Sequence, residues 1–509
     1  MKTTRRTMSP TGKLLPHAPP TLAAWLWILV CGLAGTLLLW LFVDSCQQDG
    51  GLHYLFARWA WKHPEILVGV WARPLYTTLY AIPALAGYQA TRGFSVLICL
   101  IIAWQTYQIA RDLGLSRPAL AIPLVWLQPS FFLFAADNMT EPVFALVYVI
   151  ALRLHLRGRM VVGMIVASLT ILARPEGFFL GLLWAVWVWQ AHVPRGWLPR
   201  DRAAWRRVSS ILWLGTGALL WWLGAWALTG DPLFILHNWP RDWPLTGTIY
   251  GAAGLLAYPA RLPEIVGPFL LIPFAWGLVS LLRERTLPTL TSSFLLLFGL
   301  HTILRAFGLL GSAGYPRYLI TISPAIALLT AVGWNRMGGL IGEALSRPIR
   351  LACVSVILAT SAYANAAYVD GAEWSRDARA LEEIHRWVKT HEQQSPLPIT
   401  RLVWNEPYVA ILFGRDPWEN VQWTRNRAHD REIMRQLPAG TLVVWDQLIG
   451  PKWYAIEAAD FHRAGFDLLH EAPFTLRGYL LTYSWFGVGG PRRQRYFVFY
   501  KRPAAPSSR

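Results

Sequence analysis

Charge is scarce in this 509-residue chain: Asp, Glu, Lys and Arg together make 15% of it. A soluble domain carries roughly a quarter, so a soluble globular protein of this size is excluded. Acid is scarcer than base, 29 Asp and Glu against 47 Lys and Arg. The four cysteines, Cys31, Cys46, Cys99 and Cys353, are scattered and sit mostly in apolar runs. They show neither metal-ligand spacing nor the density of a disulfide framework. The sequence contains no glycine-rich phosphate loop, HExxH, Ser-His-Asp pattern or nucleotide fingerprint. Internal repeats and low-complexity tracts are also missing. No small-residue cleavage site follows the basic stretch and first apolar run, which therefore read as an uncleaved first helix rather than a signal peptide.

What the chain has in abundance is apolar surface. It is 54% hydrophobic with 29 Trp, and its mean hydropathy is +0.33. Runs of about 20 apolar residues, the length that crosses some 30 Å of hydrocarbon, recur through the first two thirds. Eleven spans are expected, near residues 21–43, 93–110, 118–136, 143–156, 160–173, 178–191, 210–228, 267–282, 289–307, 319–334 and 350–366. Segment 74–88, with Pro74, Pro83 and Gly87, reads as an interfacial or re-entrant helix.

The formal net charge of +18 could suggest nucleic acid. Yet the cations lie in short loops at 195–207, 283–285 and 336–350 and in the tail 2–13, as the positive-inside rule predicts. No basic groove interleaved with aromatics appears, so nucleic acid is not expected as a partner. With the basic tail 1–20 inside, alternation puts Asp49, Glu141, Arg174, Glu176, Arg317 and the 229–266 loop on the outer face.

After Tyr368 the composition changes. A helix-like period with Glu373, Asp377, Ala380 and Ile384 is followed by apolar runs at 402–404, 409–413, 442–445 and 496–500 that read as strands. The expected fold class is an all-α polytopic membrane protein, residues 21–368, with a small C-terminal α/β extramembrane domain, 369–509, outside.

Chemistry-bearing residues recur at the outer ends of spans, where ionisable groups are costly to hold and mark a site. In the outer loop 44–73, Asp49 is placed to act as a general base. Gly50-Gly51 are expected to turn the backbone before a helix begins at His53-Tyr54, and burial is expected to raise the carboxyl pKa toward the working pH. Asp44 is its rival. Glu141 follows Asp137 and Asn138 in a short loop, where these oxygens could hold a divalent cation shared with Asp49. The alternative is a helix start with Thr140 as cap. Arg73, Arg174 and Arg317 put guanidiniums, which match phosphate geometry, on the face where the positive-inside bias disfavours them. His53, Tyr54, Glu141, Glu176, His237, Asn238 and Tyr250 are candidate substrate-binding groups, while His155, His192 and His301 read as structural.

An acidic residue before a His/Tyr-bearing helix, then Arg73-Pro74-Leu75-Tyr76, Thr140-Glu141-Pro142, Arg174-Pro175-Glu176-Gly177 and Pro316-Arg317-Tyr318, resembles the GT-C superfamily of membrane glycosyltransferases. The closest likeness is to bacterial relatives of dolichyl-phosphate-mannose protein mannosyltransferases and the aminoarabinose lipid A transferase. The resemblance spans residues 25–330. It implies a polyprenyl-phosphate sugar as donor and a lipid, glycan or protein acceptor at the inner (plasma) membrane. It also implies Asp49 as base, Arg73, Arg174 and Arg317 toward the donor phosphate, and Glu141 in the cavity wall. The sequence departs from the family in having Asp49-Gly50 where relatives have an Asp-Glu pair, so Asp44 or Asp49 stays open. The competing reading is a lipid-linked sugar flippase or secondary transporter, although no mid-span charges or inverted repeats are visible.

Overall fold

The computed structural model describes residues 20–193, 202–239, 250–342, 346–394, 398–423 and 427–502. The basic tail, parts of the basic loops (194–201 and 343–345) and part of the 229–266 loop (240–249) lie outside the described residues. Among the described residues, six helices are long and apolar enough to cross a membrane. They are Leu22–Leu41 (α1), Tyr88–Asp112, Ser210–Thr229, Pro288–Phe307, Pro316–Gly338 and the run Leu351–Glu392. Pro259–Val266 and Pro268–Glu284, bent by 95°, make a seventh if counted as one span. Every one of the eleven expected runs falls on helical backbone, but several are short or broken. Residues 118–136 split into Ala121–Trp126 and Pro129–Phe134, because Pro129 lacks the N–H that would carry the helix on.

The bundle has two chemically distinct ends. At one, Asp112 binds Arg157 at 2.8 Å and Arg153 at 3.3 Å, and Arg336 binds Glu284 at 2.7 Å. At the other lie the start of Thr140–Leu156, the end of α1 and the start of the helix carrying Arg317. Between α1 and the next span, helix α2 (Gln48–Trp59) and helix α3 (Pro74–Leu85) sit on this second end. Segment 74–88 is thus helical, as its sequence suggested.

Helix Arg347–Ala372 passes through Glu373, at φ +55°, into the amphipathic helix Trp374–Gln394 that opens the C-terminal domain. Its sheet has the order β1-β2-β4-β3. Strand β1 (Arg401–Trp404) runs parallel to β2 (Thr441–Asp446), while β4 (Arg492–Tyr500) is antiparallel to both β2 and β3 (Asp467–Leu476). One expected strand is wrong: residues 409–413 belong to helix Pro407–Phe413. A short apolar run carries no period of its own; Pro407 in the first turn favours helix.

Candidate active site

Helix α2 starts earlier than its sequence suggests. Gln47 caps it, accepting from Gly50 N at 3.0 Å, and Asp49 lies in its first turn. Gly50 and Gly51 are helical, and their role is close approach rather than a turn. A Cβ on Gly50 would lie 2.4 Å from Asp137 Oδ1, and one on Gly51 2.8 Å from Cys46 Sγ and 3.4 Å from Pro407 Cβ. The helix is therefore pressed between the Asp137 loop and the C-terminal domain. That domain also grips the end of α2, where the buried Asp416 binds Lys62 Nζ and His63 Nε2, both at 2.8 Å, and Trp418 stacks on His63.

Asp49, His53, Arg73, Arg174, Glu176, Tyr250 and Arg317 all line one cavity of about 270 Å³. Arg317 is the hub: it donates from Nη2 to Asp49 Oδ2, and its Nε lies 3.5 Å from Glu141 Oε1. Arg174 Nη1 is 2.9 Å from the same Glu141 oxygen and its Nη2 is 2.9 Å from Glu176 Oε1. Glu141 is fully buried behind the cavity wall and holds both guanidiniums in place. Helix Thr140–Leu156 is capped by no side chain, Met139 being its N-cap. Thr140 instead accepts from Arg174 Nη1 at 3.1 Å.

The charge state of the cavity follows from these contacts. Burial pushes the Asp49 carboxyl up, but Arg317 in direct contact outweighs it and holds Asp49 below its ordinary value. The expected upward shift is thus reversed. Glu176 is opposed by burial but held down to about 2 by Arg174 and His301. Arg174 is raised by Glu141 and Glu176. Arg73 behaves differently: burial and the neighbouring Arg174 pull its guanidinium down to about 10, more than Glu176, Glu141 and Asp49 restore. It also sits at φ +61° immediately before Pro74, a left-handed conformation that is uncommon outside glycine and clusters at ligand clamps. Its guanidinium donates from Nη1 to Val70 O at 3.2 Å and lies over the Trp71 ring, 5.3 Å from its centroid. His53 is pushed down to about 3, mainly by burial, so its imidazole is neutral at physiological pH.

No protein-family model matches this sequence, and no curated protein does either. The backbone does match a solved structure, ArnT from Cupriavidus metallidurans in the apo state. The TM-score is 0.51 at 16% identity, over 94% of this chain and 98% of that one. The chain shares the fold of that structure. The match extends through the C-terminal domain, for which the sequence offered no motif.

Within this fold several candidates fall away from the cavity. Asp44 pairs with Arg379 of the C-terminal domain at 3.6 Å. Tyr54 packs edge-on against Tyr88, with ring centroids 5.2 Å apart. His237 is exposed and binds Asp231 at 2.7 Å, and Asn238 folds back onto Phe234 O. The described residues contain no group of three or more His, Cys, Asp or Glu able to hold a metal ion. The Arg317 guanidinium lies between Asp49 and Glu141.

Other lining groups were missed. His301, read as structural, lines the cavity 3.8 Å from Glu176 and stacks on Tyr318. Gln47, Gln48, Trp71, Tyr315 and Tyr318 join it, as does Trp453 from the C-terminal domain. Tyr315 and Tyr318 flank the Arg317 motif, the one local signal available. Arg92, on Tyr88–Asp112, went unnoticed too: it ties Ala136 O and Ser45 together and so fixes the two loops bearing Asp137 and Asp49.

Proposed function

We infer that the chain is a multi-pass membrane glycosyltransferase. It moves a sugar from a polyprenyl-phosphate donor to an acceptor hydroxyl on the extracytoplasmic face. The observation that carries this reading is the convergence of Asp49 and Glu176 with Arg73, Arg174 and Arg317 around a single cavity at the end of the bundle where α2 and α3 sit. The fold shared with ArnT supports it.

The chemistry asks little of the protein beyond charge placement. A phosphate leaves as a stable anion, so no acid catalyst is needed, and arginines stabilise the charge that grows on it. The C1–O bond to phosphate breaks with its electrons on the phosphate oxygen. The acceptor oxygen bonds to C1 from the opposite face, giving inversion, and Asp49 takes its proton. With Arg317 against it, Asp49 is a weak base. A donor phosphate competes for Arg317, relieves that contact and lets burial raise the carboxyl toward working pH. The donor thereby readies the base. Asp44, against Arg379, is outside this geometry.

The test is incubation of protein in nanodiscs with radiolabelled polyprenyl-phosphate sugars and membrane extracts as acceptor. Label is expected to leave the polyprenyl pool in a manner that depends on Arg73 and Asp49. A protein that moves labelled lipid between leaflets without cleaving it would be a flippase, and this reading would be wrong.

A further inference from the structure

The segment joining β3 to β4 lies outside the catalytic geometry and has an unusual surface. Leu480, Trp485, Phe486 and Val488 are all exposed, Leu480 by 64% and Val488 by 54%. A soluble domain rarely leaves four large apolar side chains together in water. The segment is nonetheless firmly held. Tyr483 is fully buried, its hydroxyl donates to Pro263 O at 2.5 Å, and its ring packs against Tyr368. Thr482 O comes so close to Gly371 that a Cβ there would lie 1.4 Å away.

Its position relative to the spans decides what covers it. Trp485 packs against Tyr363, with ring centroids 5.6 Å apart, and against Phe269 at 6.4 Å. Phe269 opens the span Pro268–Glu284, and Tyr363 lies on Arg347–Ala372, nine residues before its end. At 1.5 Å per residue that is about 14 Å below the end of the helix. Tyr363 and Phe269 are themselves exposed, as lipid-facing side chains of a span are. Residues 480–488 therefore hang down the flank of the bundle, and their apolar surface is continuous with the surface the bilayer covers. Just beyond, at the start of β4, Arg492 and Arg493 are exposed, at the level where anionic headgroups lie.

We propose that residues 480–488 form a membrane wedge: Trp485, Phe486 and Val488 sit in the leaflet on the active-site side, and Arg492 and Arg493 rest on anionic lipid headgroups. Aromatic side chains favour this interfacial depth, and cations at the headgroup level add to the hold. The wedge has a functional position. Leu480, Leu481 and Thr482, with Arg492, wall a second cavity of about 390 Å³ that meets the first at Gln47, Tyr315 and Arg317. The C-terminal domain thus closes this cavity with a segment whose outer side touches lipid. The inference does not depend on the reaction assigned above.

The experiment places a single environment-sensitive fluorophore at Val488→Cys in a Cys353→Ser background, since the other three cysteines are buried. The full chain is reconstituted in nanodiscs containing anionic lipid. A second sample carries the label at Glu432→Cys, on an exposed face of the same domain. At position 488 the emission is expected to shift to the blue, to be quenched by doxyl lipid and to be shielded from aqueous iodide; position 432 should show the reverse. Iodide access at 488 equal to that at 432 overturns the proposal. So does shielding from both quenchers that appears only in discs holding two copies, because the face would then be a contact between chains.

Discussion

Changing Asp49 to Asn removes one charge and almost no volume, so its effects on rate and on stability separate cleanly. Arg317 keeps Glu141 at 3.5 Å and is not left stranded when Asp49 is neutralised. The Asp49 side chain is 36% exposed while Arg317 is buried, so weakening their contact is expected to cost about 1–3 kcal/mol of stability. Loss of a general base costs about 10²–10⁴ in rate, which at 1.36 kcal/mol per decade is roughly 2.7–5.4 kcal/mol of transition-state stabilisation. The expected Asp49→Asn protein therefore folds, binds donor and transfers about a hundredfold or more slowly. The assay is single-turnover release of labelled sugar from its polyprenyl phosphate in nanodiscs, with a thermal melt alongside. Asp44→Asn, whose partner is Arg379, serves as the matched control and is expected to turn over normally. Near-normal transfer by Asp49→Asn, or its loss in Asp44→Asn instead, refutes the reasoning.

Arg73→Ala is expected to weaken donor binding by about 1.5–3 kcal/mol, the range for a hydrogen bond to a charged group, read as a rise in KM for the donor and a weaker Kd for polyprenyl phosphate. Gly50→Ala forces a methyl to 2.4 Å from Asp137 Oδ1, so it should cost about 1–3 kcal/mol of stability as an overpacked contact and lower kcat by shifting the turn that carries Asp49; a melt and a transfer assay report both. Acid should destabilise the fold in two stages. The folded-state values of His53, about 3, and Glu176, about 2, both lie below their ordinary values of 6.5 and 4.5. Each contribution is therefore full above the ordinary value and is lost as pH falls toward the depressed one, at up to about 1.4 kcal/mol per pH unit per group. His53→Gln should lessen the fall in melting temperature between pH 6.5 and 4.5 while leaving the Glu176 portion below it; an unchanged profile would show that His53 does not contribute.

The helical segments were legible because hydrocarbon thickness imposes a length that apolar runs must meet. That Asp49, Arg73, Arg174 and Arg317 would lie on one face, where they line one cavity, was legible because charge at a span end has few structural uses. What lay hidden depends on partners far away in sequence. Gly50 and Gly51 look like a turn until Asp137 and Pro407 are seen pressing on them, and nothing near Asp49 announces that Arg317, 268 residues on, will lower its pKa. His301 sits in an ordinary apolar helix and gains meaning only from Glu176 across the cavity. His237 and Asn238 pair locally, with Asp231 and Phe234 O, and do not line the cavity.

The central claim is that the cavity between Arg73 and Arg317 receives the phosphate of a lipid-linked sugar. The most direct measurement is an electron cryomicroscopy map of the Asp49→Asn protein in nanodiscs with a polyprenyl-phosphate sugar. The account predicts phosphate density within hydrogen-bonding distance, about 3 Å, of the Arg73 and Arg317 guanidiniums, with the sugar lying toward position 49. Phosphate held at the opposite end of the bundle, near Arg153 and Arg157, would contradict it.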